Sequence, residues 1–283
     1  MPYLVLVSII WGFSFVIIKG TLVSLDANFV SFARLLLSFF VFLPFMRLAG
    51  LSLSDRLHLL LIGGVQFGFM YVAYVAAYQY LPAHVIALMT TTTPLFVTVF
   101  NDLHTKKIHK PFFFAALLAV AGGAIIELPD QPLRMSLYGI ALIQLSNAAF
   151  AFGQLAYKKW MASRPMLRDT PVFWLLYGGA VIVAGAFSIA TTEYHTLKLT
   201  LPQGFALLYL GVVASGLCFF LWNRGARKVN EGMLAVMNNL KIPVAVVASL
   251  LILRETTDYR RLLIGCGLFT AALWVNRRYS SNR

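Results

Sequence analysis

The sequence predicts an all-α integral membrane protein of ten transmembrane helices, built as two inverted five-helix repeats. Three observations predict it: the composition, the succession of apolar stretches, and a correspondence between the two halves. Of 283 residues, 60% are apolar and 12% charged, with a mean hydropathy of +0.79. Soluble domains have about 45–50% apolar and about 25% charged residues. An ordinary soluble enzyme is therefore excluded, and so is disorder. Cys218 and Cys266 both lie in apolar runs, so neither a disulfide framework nor a metal cluster follows from them.

Ten apolar stretches stand between polar punctuation, at 2–22, 28–48, 56–80, 82–101, 111–127, 136–157, 171–192, 203–223, 231–253 and 261–278. At 1.5 Å per helical residue each approaches or exceeds the ~30 Å of a bilayer core. No alternating strand pattern appears, which argues against a barrel. The first stretch lacks a basic leader and a small-residue cleavage site, and reads as a retained span. The formal charge is +13. With the N-terminus placed in the cytoplasm, 15 basic residues fall in cytoplasmic segments, among them Lys106, Lys107, Lys110, Arg164, Arg168, Arg224, Arg227 and Lys228, and 5 on the opposite side. That bias puts both termini on the cytoplasmic side, and the membrane expected is the bacterial cytoplasmic membrane. The charge is thus a topology signal, and it calls for no nucleic acid partner. Lys19, Arg34 and Lys241 remain within spans.

The halves correspond at an offset near 149, with Thr93-Pro94-Leu95 against Ile242-Pro243-Val244, and at 148, with Tyr74 against Trp222. Near the start the offset is 139, with Trp11 against Phe150 and Lys19 against Lys158. The repeats are 1–130 and 131–283. Five spans is an odd number, so the second copy enters the membrane from the opposite side, an architecture common among secondary transporters. Small residues spaced for close helix contact are expected to pack: Gly64 with Gly68, Gly211 with Ser215, Ala180 with Ala184, and Gly122, Gly123, Gly265 and Gly267.

Several motifs carry a family likeness. Trp11-Gly12-Phe13-Ser14-Phe15 with Lys19, Phe32-Ala33-Arg34-Leu35-Leu36-Leu37, Thr93-Pro94-Leu95-Phe96 and Leu253-Arg254-Glu255-Thr256 resemble the ten-span EamA-type branch of the drug/metabolite transporter superfamily. The resemblance implies a secondary transporter that exports small metabolites such as amino acids or organic acids, by alternating access around a central cavity. It implies no enzyme activity and no cofactor. The chain departs from the pattern at Lys106 and Lys107, where an acidic turn is usual, at Phe150, where a second tryptophan is usual, and at Lys241.

Pro94 and Pro243 lie about 18 Å into their spans and remove backbone donors. They are either packing kinks or a matched pair of helix breaks exposing backbone dipoles to a midplane site. Polar residues precede both, Thr90, Thr91, Thr92 and Thr93 in one half and Asn238, Asn239 and Lys241 in the other. Threonine hydroxyls also bond back to their own helix. Lys241 is too deep to snorkel, and a membrane-embedded ionisable group is a functional candidate. Its alternatives are a pairing with backbone carbonyls or a neutral amine in the core. Arg34 lines the cavity or snorkels outward, and Lys19 snorkels.

The substrate-binding candidates are completed by Trp11, Ser14, Asn147, Phe150 and Gln154 in spans one and six, and by Tyr74, Tyr78, Trp222 and Asn223 in spans three and eight. Trp11 and Tyr74 are read as lying well inside their spans. Aromatic walls with a few polar groups suit a small molecule, although such aromatics also serve as core or interface belt. No acid lies mid-span. A substrate bearing its own carboxylate is therefore expected to meet Lys241. The alternatives are an intramembrane enzyme, for which neither H-E-x-x-H nor G-x-S-x-G is present, and a non-transporting scaffold subunit.

Overall fold

The computed structural model describes residues 1–22, 24–128, 136–252 and 258–281. It is helical throughout, with no strand among the described residues. The elements are α1 (Pro2–Thr21), α2 (Ala27–Phe42), α3 (Leu53–Ala77), α4 in two halves (Ala83–Thr90 and Thr93–Thr105), α5 (Lys110–Glu127), α6 (Leu137–Ala162), α7 (Phe173–Thr191), α8 (Leu201–Ala226), α9 in two halves (Glu231–Met237 and Lys241–Ile252) and α10 (Tyr259–Ser281). Eight of these, α2 to α9, are long and apolar enough to cross a membrane, and α1 adds a shorter apolar stretch, Pro2–Ser14. Arginine pairs at both ends of α10, Arg260–Arg261 and Arg277–Arg278, shorten its apolar run.

Local chemistry sets the helix ends. Asp26 accepts the Phe29 N–H at the start of α2. Ser52 and Asp55 form a capping box that starts α3 at Leu53, three residues before the expected start. Thr200 and Gln203 do the same for α8, and Asn230 caps α9. Pro44 ends α2 in a single 3-10 turn, Leu43–Phe45, short of the expected residue 48. Neither α3 nor α8 is a plain α-helix. Gly64–Phe69 in α3 and Leu210–Leu217 in α8 are π-helical. The widened turns free carbonyls, and side chains from other helices take them. Trp11 Nε1 donates to Ala214 O at 2.7 Å, Tyr177 Oη to Ser215 O at 2.9 Å, and Ser38 Oγ to Gly211 O at 2.8 Å. In α3, Ser146 Oγ donates to Met70 O at 2.9 Å.

Helices α5 and α10 pack along each other, as do α2 and α7. Helix α1 lies against α8 and the second half of α9, and α6 lies against α3 and the second half of α4. The π segment of α8 rests on α2, and that of α3 on α7. Small residues allow these approaches. A methyl on Gly122 would stand 2.9 Å from Gly265 O, and one on Gly265 2.8 Å from Gly122 O. Gly63 faces the Leu176 backbone and Gly179 the Leu60 carbonyl with no room for a side chain. Gly267 corrects the packing expectation: among the described residues nothing lies within 4 Å of where its side chain would stand.

The core is aromatic. Phe67 stacks on Phe219 at 4.4 Å and on Tyr177 at 5.7 Å, while Phe42, Phe173 and Phe220 close around one another at 5.0–5.5 Å. One end of the bundle is tied by ion pairs. Asp55 pairs with Arg164. Asp169 pairs with Arg227 at 2.7 Å and accepts the Tyr157 hydroxyl at 2.8 Å. Lys158 meets Glu231 at 2.9 Å.

Candidate functional site

Four helices bring one constellation together. Trp11 of α1 sits 5.1 Å from Trp222 and 5.5 Å from Phe219 of α8, and 6.3 Å from Phe150 of α6. Lys241, the first residue of the second half of α9, places Nζ 5.7 Å from the Trp11 ring centroid. The Trp11 indole N–H is spent on the freed Ala214 carbonyl, which fixes the ring. Trp222 donates to Gln154 Oε1 at 2.8 Å, and Gln154 and Asn238 approach at 3.5 Å. Asn147, Phe150 and Gln154 share a stripe of α6 at helical spacing.

The electrostatics are one-sided. Among the described residues Lys241 has no hydrogen bond and no ion pair, only the Trp11 face. Arg34, 8% exposed, donates Nε to Ser215 Oγ at 3.1 Å and lies over Tyr71 at 5.2 Å. Tyr71 is 6.2 Å from Phe219, which leads back to Trp11. The helical acids among the described residues sit in first or last turns, at Asp55, Asp102, Glu127 and Glu231. Two cations therefore flank one aromatic patch without a carboxylate. The N-terminal end of the half-helix that starts at Lys241 adds partial positive charge. Such a site suits a ligand that is anionic at one end and flat and uncharged at the other. No group of His, Cys, Asp and Glu suited to a metal occurs among the described residues.

Other candidates are occupied elsewhere. Thr90, Thr91, Thr92 and Thr93 each donate to the carbonyl three residues back, at 2.7–2.9 Å. Across both breaks the chain tightens into i→i+3 bonds, such as Thr92 N–H to Met89 O and Leu240 N–H to Met237 O. The dipoles expected to be bare are thus largely used. Asn147 Nδ2 donates to Met89 O at 2.9 Å and to Thr92 Oγ1 at 3.1 Å. Asn239 donates to Thr91 O at 2.7 Å and to Ala119 O at 3.2 Å, away from the aromatic patch. Ser14 bonds its own helix at Ile10 O. Helix α3 ends at Ala77, so Tyr74 lies in its last turn, not well inside the span, and it shares a 3.0 Å hydroxyl contact with the exposed Tyr78. Pro94 and Pro243 stand at the starts of the second half-helices, where a missing N–H costs least. The side chains of Lys19 and His84, and the Leu253–Thr256 motif, lie outside the described residues.

The model of the EamA-like transporter family matches residues 1–128 and again 137–277. The chain belongs to this family. The Biotin transporter of Salmonella typhimurium (strain LT2) is 35% identical over 100% of this chain and 95% of its own. The Probable biotin transporter of Pseudomonas aeruginosa is 37% identical over 98% and 97%. A protein of known crystal structure matches with a TM-score of 0.80 over 98% of this chain and 97% of its own at 13% identity, a likeness of fold alone. The chain is thus a multi-pass membrane transporter, and the intramembrane-enzyme alternative falls away.

In this transporter the sequence reading missed Phe219, Tyr71 and Gln66. Gln66 Nε2 donates to Asn223 Oδ1 at 3.2 Å, while Gln66 Oε1 is buried without a partner among the described residues. A mid-span glutamine was a usable signal. Phe219, one of 23 phenylalanines, carried none.

Proposed function

We propose that this transporter carries biotin across the bacterial cytoplasmic membrane by alternating access around the patch of Trp11, Phe150, Phe219, Trp222 and Lys241. Biotin joins a flexible carboxylate arm to an uncharged fused ring that carries a urea group. The observation that carries the reading is the cation Lys241 beside an aromatic wall, with no carboxylate partner among the described residues. The carboxylate meets Lys241, with Arg34 on the far side of the wall, and the ring system lies among the aromatics. Gln154 and Asn238 carry the amide donors and acceptors that a urea requires, and a bound urea would replace their long 3.5 Å contact with each other. The names of the relatives, at 35–37% identity over nearly the whole chain, support the same substrate.

The architecture proposed with it is ten spans in two inverted repeats, 1–130 and 131–283, with both termini cytoplasmic. Several observations support it. Exchanging α1–α5 with α6–α10 converts the α1 contacts with α8 and α9 into the α6 contacts with α3 and α4. The π segments fall in α3 and α8, and the broken helices are α4 and α9. The family model matches the chain twice.

Flux of radiolabelled biotin in proteoliposomes tests the function. Saturable flux, competed by biotin more strongly than by amino acids, is expected. Vesicles loaded inside or outside read the direction, including the export that the family resemblance implies. Flux of amino acids with no response to biotin overturns the substrate.

A further inference from the structure

The turn between α4 and α5 lies away from the aromatic patch and forms a groove of about 600 Å³. Its walls are apolar: Val99 and Leu103 from α4, and Phe113, Phe114 and Leu117 from α5. Its mouth carries Lys106, Lys107 and Lys110. Both helices repeat one order along a single stripe. Val99, Leu103 and Lys106 are spaced i, i+4, i+7, and Leu117, Phe114 and Lys110 run i, i−3, i−7, so each stripe passes from apolar residues to a lysine. Seven residues span about 10 Å, the upper part of an acyl chain. The groove also holds one acid, Asp102, but its carboxylate is committed. It accepts the His109 backbone N–H at 3.0 Å and contacts His109 Nδ1 at 2.6 Å and Asn101 Nδ2 at 3.3 Å. Among the described residues the three lysines have no carboxylate partner. Lys106 also takes a left-handed backbone, φ 52°, the one such non-glycine residue among those described, a conformation that costs energy outside glycine.

We propose that this groove is a binding site for one anionic phospholipid, with its phosphate on Lys106, Lys107 and Lys110 and an acyl chain between α4 and α5. Charge complementarity selects the occupant. A zwitterionic lipid fills the apolar wall equally well but leaves the lysines uncompensated. A soluble phosphate meets the lysines but leaves the apolar wall empty. Basic loop residues alone would serve topology. What sets this turn apart is the apolar wall beneath the lysines and the sequestered aspartate beside them.

Delipidated full-length protein titrated with dioleoyl-phosphatidylglycerol or dioleoyl-phosphatidylcholine and read by native mass spectrometry tests the site. One phosphatidylglycerol is expected to be retained in preference to phosphatidylcholine. Each lysine near the phosphate is worth about fivefold in retention. The triple change Lys106→Gln, Lys107→Gln, Lys110→Gln should erase the preference. Removing three other charges, by Arg168→Gln, Lys228→Gln and Arg277→Gln, should leave it. If the triple variant does not fold, Lys107→Gln and Lys110→Gln singly should each lower the preference about fivefold. Retention unchanged by the lysine changes, or equal loss with the control charges, overturns the proposal. Competition by inorganic phosphate at the concentration at which the lipid binds overturns the acyl-chain part of it.

Discussion

Asn239 donates its side-chain amide to the Thr91 carbonyl across 2.7 Å, so the break in α9 touches the break in α4. The same amide reaches Ala119 O in α5 at 3.2 Å. Ile242 and Thr91 both press on Gly123 of α5, where an added methyl would meet each of them at 3.0–3.1 Å. The two discontinuities form one joint at which α4, α5 and α9 meet. Asn239→Leu removes the donor and leaves the Thr91 carbonyl at the break without that bond, while Ala119 O keeps its place in the α5 ladder. Such a loss costs about 1–3 kcal/mol, and the detergent-solubilised variant should melt several degrees lower. An unchanged melting curve would mean that the joint carries no stability.

Lys241 supplies the next prediction. Lys241→Met keeps the length of the side chain and removes the charge. The folded yield should hold, because methionine is easier to bury than an unpaired ammonium. Biotin affinity should fall by about 10- to 100-fold, the worth of one charge-assisted contact of about 1.5–3 kcal/mol. Equilibrium binding of labelled biotin measures it, and normal binding would demote Lys241 to a structural residue.

The contact of Lys241 with Trp11 can be weighed separately. A cation over an indole contributes about 0.5–2 kcal/mol. A double-mutant cycle of Trp11→Leu with Lys241→Met should therefore return a coupling of about that size in the stability of the ligand-free protein. Additive effects would mean that the contact carries no stability.

Pro94→Ala and Pro243→Ala restore an N–H at each break and let the half-helices join. Membrane helices accept an added backbone bond, so expression should persist while flux falls. Equal loss of folded protein and flux would make the prolines packing residues only.

The ion pairs at the end of the bundle give a fifth test. Asp169→Asn leaves Arg227 without its carboxylate and weakens the Tyr157 contact. Breaking a partly buried pair on one side costs more than the pair contributes. The variant should melt lower, and part of the loss should return with Arg227→Gln in the same chain. A reporter fused at the C-terminus, read as cytoplasmic, checks the orientation on which the placement of these pairs depends.

The sequence by itself determined the helical membrane class, the starts of most helices to within two residues, and the family. Apolar runs, caps and prolines act within a few residues, and the motifs around Trp11, Arg34 and Pro94 are contiguous. It also marked Lys241, Trp11, Gln154 and Trp222, because a charge or a polar group inside an apolar run is visible without a structure, and Phe150, because it stands at the repeat position of Trp11. Only the tertiary structure decided which of these meet. Thr90 and Tyr74 carried the same signal as Lys241, yet one hydroxyl turns back on its own helix and the other faces Tyr78 at a helix end. The π segments of α3 and α8 have no sequence mark beyond their glycines. Their freed carbonyls are held by Trp11, Tyr177, Ser38 and Ser146, which come from other helices. A widened turn is stable only where a distant donor arrives, and that arrival depends on the packing of the whole bundle.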